Sequence, residues 1–208
     1  MTKKQIKKII NQVPVGYYQC LNVFQKWWHR GKFQAIKKVL ENEKPRSMLD
    51  LGCNDGTMTA RIAGLFPNVK KVTAIDLFAP GIKFARKLYP WIDFQVGDIQ
   101  DFKLQQKYDL VTCLETIEHI TNPEKLLRQV ENRLKKDGIV IIEMDSGNLL
   151  FKLMWFVWTR LGGKVWRGAH LWKANKKELH QLLEKSNLKI VEIKTFNLGM
   201  GVVFKLKK

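Results

Sequence analysis

The chain has 208 residues, 45% of them hydrophobic and 11% aromatic, and its 37 Lys plus Arg outnumber 19 Asp plus Glu to give a net charge of +18. That apolar content over this length builds a core and excludes a disordered chain. The three cysteines, Cys20, Cys53 and Cys113, stand too far apart for a C-x-x-C pair, so neither a disulfide framework nor a structural zinc site is expected, and a reducing, cytoplasmic setting is the simplest.

The chain opens on MTKKQIKKII, where Ile6, Ile9, Ile10 and Val13 recur at helical spacing beside Lys3, Lys4, Lys7 and Lys8. Residues 1–46 read as a basic helical extension without the apolar run of a secretory signal, so export is not expected. From residue 47 short apolar runs alternate with helical stretches. Ser47–Leu51 predicts a strand, Thr57–Phe66 a helix, Lys71–Asp76 a strand and Pro80–Leu88 a helix. Ile92–Val96 and Tyr108–Leu114 predict strands, Pro123–Lys136 a helix opened by Asn122 and Pro123, and Gly138–Met144 a strand. A tryptophan-rich insertion, residues 148–172, then breaks the rhythm. Its longest apolar run, Leu149–Trp158, is interrupted by Lys152 and reaches only about half of the ~20 residues a spanning helix needs. Asn175–Ser186 predicts a capped helix, and Leu188–Phe196 and Val202–Lys207 a hairpin joined by Asn-Leu-Gly-Met-Gly. Strands that alternate with helices pair in parallel with helices on both faces, so the class is α/β. No repeat or linker divides the chain, and a single domain is expected: extension 1–46, core 47–147, insertion 148–172 and C-terminal part 173–208.

The positive charge is uneven. Residues 1–46 carry 11 basic and 2 acidic side chains, residues 47–147 carry 13 and 14, and residues 148–208 carry 13 and 3. Six of the seven tryptophans, Trp27, Trp28, Trp155, Trp158, Trp166 and Trp172, also lie outside the neutral middle, where Trp91 stands alone. Basic, aromatic flanks suit something anionic: lipid headgroups, nucleic acid or an acidic small molecule.

Asp50-Leu51-Gly52-Cys53-Asn54-Asp55-Gly56 follows the first strand and opens the first helix of the core. At the carboxyl ends of parallel strands, glycines let a ligand approach the backbone and a helix N-terminus offers free N–H groups, so a nucleotide site is expected. The spacing is neither the G-x-G-x-x-G of dinucleotide binding nor a P-loop, which would end in Gly-Lys-Ser/Thr. On these residues the sequence resembles the class I S-adenosylmethionine-dependent methyltransferases and their D-x-G-x-G-x-G loop, most of all a small-molecule type similar to ubiquinone-biosynthesis O-methyltransferases. One position departs: Asn54 stands where the middle glycine is usual, and Asn tolerates left-handed backbone better than other side chains. The resemblance implies a Rossmann-like, doubly wound, mostly parallel seven-stranded sheet, with S-adenosyl-L-methionine as cofactor.

It also implies site residues. Asp76, 26 residues after Asp50, ends the second strand where the family's acid accepts both ribose hydroxyls, with Leu77 beside it. Asp98 ends the third strand near the adenine amino group, with Ile99 packing on the ring. Leu114 and Glu115 end the fourth strand near the methionine portion. With Asp50, Gly52, Cys53, Asn54 and Gly56, these make the cofactor set. In Leu114-Glu115-Thr116-Ile117-Glu118-His119-Ile120, His119 is the candidate base, since an unperturbed imidazole with a pKa of about 6.5 is neutral at cytosolic pH. Glu115, Glu118 and His119 share a helical face and are alternatively metal ligands, with His170 as a downstream partner.

Were Leu149–Arg167 helical, Lys152, Arg160, Lys164 and Arg167 would cluster opposite Trp155, Phe156 and Trp166, a basic amphipathic face suited to an anionic bilayer or to a lid on the acceptor pocket. The expected function is methyl transfer to the oxygen or nitrogen of a small, apolar or lipid-like acceptor, with peripheral membrane contact. An RNA methyltransferase gripping phosphates with the basic flanks, and a non-catalytic subunit that keeps the fold, are the alternatives.

Overall fold

The computed structural model describes residues 14–161 and 175–208. The predicted N-terminal repeat from Ile6 to Val13, and Lys164, Trp166, Arg167, His170 and Trp172 of the insertion, lie outside the described residues. A 3-10 turn at Tyr17–Gln19 leads into helix α1, Val23–Val39. Asn22 starts that helix with a reciprocal cap: its side chain accepts from Gln25 N at 2.9 Å, and Gln25 Oε1 accepts from Asn22 N at 3.0 Å.

Strand β1 (Ser47–Leu51) is buried along its whole length and lies inside a seven-stranded sheet, away from both edges. In chain order the rest of the fold is α2 (Thr57–Ala63), β2 (Lys71–Asp76), α3 (Ala79–Leu88), β3 (Asp93–Val96), β4 (Tyr108–Leu114), α4 (Pro123–Arg133), β5 (Leu134–Asp145), α5 (Leu149–Leu161), α6 (Lys176–Glu184), β6 (Lys189–Phe196) and β7 (Gly201–Lys207). The sheet order is β3-β2-β1-β4-β5-β7-β6. β1 to β5 pair in parallel, while β7 runs antiparallel to both β5 and β6. This is the doubly wound α/β sheet with a C-terminal hairpin that the strand pattern predicts.

Period-two alternation sends each strand's apolar residues into two separate layers. Leu49, Val111, Val140, Ile142 and Phe204 meet α4 and α6 through Leu127, Val130, Leu179 and Leu183 on one face. Met48, Val72, Leu110, Ile141 and Val203 meet α1, α2 and α3 through Ile36, Val39, Ile62 and Ile82 on the other.

Three local expectations are corrected. The helix predicted over Thr57–Phe66 ends at Ala63, because Gly64 closes it by donating its N–H back to Ala60 O and Ile62 O. The helix predicted to reach Lys136 stops at Arg133: Leu134 turns extended, is fully buried and pairs with Tyr108, which starts β5 early. On α5, Phe156 is not opposite the basic residues, since the Arg160 guanidinium lies over its ring, 3.3 Å from the centroid, one helical turn away.

Candidate active site

The strand order reverses between β1 and β4, and the crevice outside their carboxyl ends is where an open parallel sheet binds a ligand. The turn after β1 supplies its floor. Gly52 (φ +88°) and Gly56 (φ +75°) both take left-handed backbone, and Asn54 does so as well at φ +48°. Gly52 also has no room for a side chain: a Cβ there would stand 2.2 Å from Thr116 Oγ1. The Asn54 N–H donates to Asp76 Oδ2 at 2.7 Å and the Phe78 N–H to Asp76 Oδ1 at 2.8 Å, so the end of β2 grips the turn. Burial raises the Asp76 carboxyl above the usual range, against those N–H donors.

The other sequence-predicted residues divide into those at the crevice and those beneath it. Asp50 is beneath. Its carboxylate accepts from the Thr112 hydroxyl at 2.6 Å and from the Thr59 hydroxyl, and burial raises its pKa while those hydroxyls lower it. Cys53 is buried on the α1–α3 face with Leu114, and burial followed by Asp76 pushes its thiol well up. Leu77 is exposed beside Asp76. Asp98 accepts from Gln100 N at 3.0 Å, and Ile99 is buried in the α4–α6 layer with Phe102 and Ile120. His119 ends a 3-10 turn, Ile117–His119, just past β4, and is half-buried there.

Glu115 leads away from the crevice floor toward the N-terminal helix. With φ +46° its carboxylate meets α1, accepting from Trp28 Nε1 and from Lys32 Nζ at 2.6 Å. Lys32 has no exposed surface; its ammonium also lies 3.4 Å from Tyr18 Oη and 4.0 Å from Glu143 Oε2. Burial opposes charge on both partners, yet each holds the other ionised: Glu115 falls to about 2 and Lys32 rises. Burial, with Lys32 second, lowers His29 to about 3, so that imidazole is neutral. Nearby, Glu118 and Glu143 are buried and raised well above the carboxylate range, burial being the first cause, and Asp145 rises to about 7 by burial. Lys32 thus provides at Glu115 the cation that the metal alternative assigned to an ion. Among the described residues no three His, Cys, Asp or Glu are grouped to hold a metal.

Tyr18, Trp28, His29, Lys32, Glu143 and Asp145 are the members of this cluster that sequence reasoning missed. One signal was available: Trp28, His29, Lys32, Ala35, Ile36 and Val39 form one stripe at helical spacing, and a lysine inside an apolar stripe points inward with a partner.

These features suit an adenosyl ligand. The Asp76 oxygens accept backbone N–H groups and, with about four lone-pair sites between them, keep capacity for a further donor. The Asn54 Oδ1 atom is buried with no hydrogen-bond partner, an acceptor awaiting a donor at the middle of the turn. Fold and site together define a class I methyltransferase. Comparison with known proteins agrees: residues 24–193 match the family described as "Methyltransferase domain". The chain is 28% identical over 205 residues to the ubiquinone biosynthesis O-methyltransferase of Rickettsia prowazekii, covering 88% of this chain and 78% of that one. To the enzyme of the same name from Glaesserella parasuis serovar 5 it is 33% identical over 138 residues, 56% of this chain and 57% of the relative. In structure it is similar to the N-methyltransferase NodS of Bradyrhizobium japonicum in complex with S-adenosyl-l-homocysteine, with TM-score 0.70, 17% identity and coverage of 99% and 97%. The chain belongs to the S-adenosylmethionine-dependent methyltransferase family.

Proposed function

We propose that the chain transfers a methyl group from S-adenosylmethionine to the oxygen or nitrogen of a small, apolar or lipid-like acceptor, working at the cytoplasmic face of an anionic membrane. One observation carries the acceptor half of this reading: a share of the exposed apolar surface gathers where α1, α5 and the β6–β7 turn adjoin. Val23 and Trp27 at the start of α1, Leu149, Leu153, Phe156 and Val157 along α5, and Leu198 between β6 and β7 face solvent. The three elements touch. The Trp28 ring lies 6.0 Å from Phe151 and 5.3 Å from Phe196, and Asn148 Nδ2 donates to Gly199 O at 3.0 Å. Lys26, Arg30, Lys152 and Arg160 are exposed on the same α1 and α5. An apolar patch among cations is a surface that an anionic bilayer takes up. No helix among the described residues is long and apolar enough to cross a membrane. Trp28 joins the patch to the site by donating to Glu115.

Within this reading the turn Gly52, Cys53, Asn54 and Gly56, above Asp50, cradles the cofactor. Asp76 takes the ribose hydroxyls with Leu77 beside them, Asp98 and Ile99 flank the adenine, and Leu114 and Glu115 border the methionine portion. When bound, the cofactor supplies an electrophilic methyl on a sulfonium, displaced in line with the C–S electron pair leaving on sulfur. The protein's own contribution is alignment, together with removal of the acceptor's proton by His119.

A methyl-transfer screen with labelled cofactor against lipid, quinone-like phenol and RNA fractions tests the reading. Label is expected in the lipid or phenol fraction; label confined to RNA would replace it with the nucleic-acid alternative. Calorimetry that finds no S-adenosylmethionine binding by the folded protein would leave only a non-catalytic role.

A further inference from the structure

The buried cation on α1 has no task in the transfer just described, and its contacts lead to the cofactor turn. Lys32 is fully buried on the stripe of α1 that also carries Ile36 and Val39 into the core, yet its Nζ reaches past them to Glu115 Oε2 at 2.6 Å. A buried ammonium persists only against a partner, and here partner and cation are both charged. Glu115 is bent into left-handed backbone, a conformation that a non-glycine residue holds only when its surroundings enforce it. Three contacts enforce it: Lys32 and Trp28 on the carboxylate, and the Glu115 N–H donated to Glu143 O at 2.9 Å. The next residue, Thr116, is the one whose hydroxyl and methyl fill the space over Gly52. Thr116 is itself fixed by donating Oγ1 to Leu114 O at 2.7 Å. On the other side of the turn, the Tyr18 N–H donates to Asp55 Oδ2 at 3.0 Å. The segment from Tyr18 to Lys32 therefore meets the turn directly at Asp55 and, through Glu115 and Thr116, at Gly52.

We propose that Lys32 is a positioning residue of the cofactor site: with Trp28 it anchors the Glu115 carboxylate, sets the backbone bend at Glu115 and so seats Thr116 against the Gly52 turn. The N-terminal helix is by this account a structural part of the S-adenosylmethionine site, although none of its charged groups is required in the chemistry. The inference depends on the chain binding the cofactor and is independent of which acceptor it methylates.

Full-length Lys32→Met and Trp28→Phe test it, with two readouts. One is the Kd for S-adenosylmethionine by calorimetry on protein whose fold is verified by circular dichroism. The other is amide hydrogen exchange at residues 115–119 of the ligand-free protein. Lys32→Met leaves a buried carboxylate without its cation, so about ten-fold weaker binding and faster exchange at residues 115–119 are expected. Trp28→Phe keeps the ring and loses one donor, so about three-fold weaker binding is expected. A purely structural ion pair predicts otherwise: lower melting temperatures, with affinity and exchange in the folded variants unchanged. Affinity within two-fold of the parent in Lys32→Met overturns the proposal. If that variant does not fold, parent-like affinity and exchange in Trp28→Phe overturn it equally.

Discussion

Asp50 and Asp76 end neighbouring strands, and their partners assign them different work. Both oxygens of Asp50 go to the threonine hydroxyls of Thr59 and Thr112, which binds α2 and β4 to β1 from below the turn. Both oxygens of Asp76 go to backbone N–H groups of the turn and of residue 78, facing the crevice. Replacing Asp50 by Ala leaves two buried hydroxyls without acceptors and is expected to cost about 2–4 kcal/mol in urea unfolding. Asp76→Ala is expected instead to weaken S-adenosylmethionine binding by about 1.5–3 kcal/mol in calorimetry, and unchanged affinity would remove Asp76 from the ribose. The sequence marks both residues alike, as acids at strand ends; only the positions of Thr59 and Thr112 separate them.

Asp145 carries a pH signature with an uncommon sign. Burial lifts its folded pKa to about 7, while the unfolded value is the ordinary carboxylate one near 4. The folded protein therefore holds a proton that the unfolded chain has released, and between those two values stability falls as pH rises. Asp145→Asn removes this slope. Chemical denaturation at pH 5 and pH 8 should show the variant losing about 2–4 kcal/mol less than the parent between the two. Equal losses in both proteins would place the titration elsewhere.

At the scale of elements, strands were more legible than helix ends. β1, β2 and β4 occupy the residues their apolar runs define, because a strand buried on both faces is apolar at both alternating sets of positions, here interrupted only by single polar residues such as Asp50, Thr73 and Thr112. The boundary between α4 and β5 was not legible: Arg133-Leu134-Lys135-Lys136 fits either periodicity, and the burial of Leu134 against Tyr108, a tertiary event, decides it. The docking of α1 was likewise hidden, since its ties come from the far end of the chain. Lys205 on β7 donates to Val39 O at 2.7 Å and pairs with Glu43 at 2.8 Å, which places a cation at the C-terminal end of α1. Lys205→Met keeps the aliphatic stem and loses both partners; thermal or urea unfolding should register about 1–3 kcal/mol of destabilisation. A variant as stable as the parent would show that the Lys205 contacts add nothing to the docking of α1.

For the whole molecule the question is how a charge of +18 and an apolar end combine, because charge alone would attract any polyanion. Leu149 and Leu153 separate the two contributions. Leu149 is 84% exposed at the first position of α5 and Leu153 is 59% exposed one turn later, so neither supports the core. Aspartate at Leu149 would lie at a helix N-terminus, where a negative charge is favourable, next to the cap that Asn148 forms by accepting from Phe151 N at 2.7 Å. Leu149→Asp/Leu153→Asp should therefore fold with a stability change within about 0.5 kcal/mol. If the bilayer is met through the apolar end, the parent floats with anionic vesicles in about 0.1 M salt and retains part of that binding in about 1 M salt, where the screening length shrinks to ~3 Å. The double variant should lose flotation at both salt concentrations while keeping methyl transfer to a water-soluble acceptor. Binding carried by lysines and arginines behaves differently: salt abolishes it in the parent, and two added aspartates leave most of the positive charge, and hence most of the flotation, in place. That second pattern would make the apolar end a lid surface, and the membrane half of the proposed function would fail while methyl transfer stood.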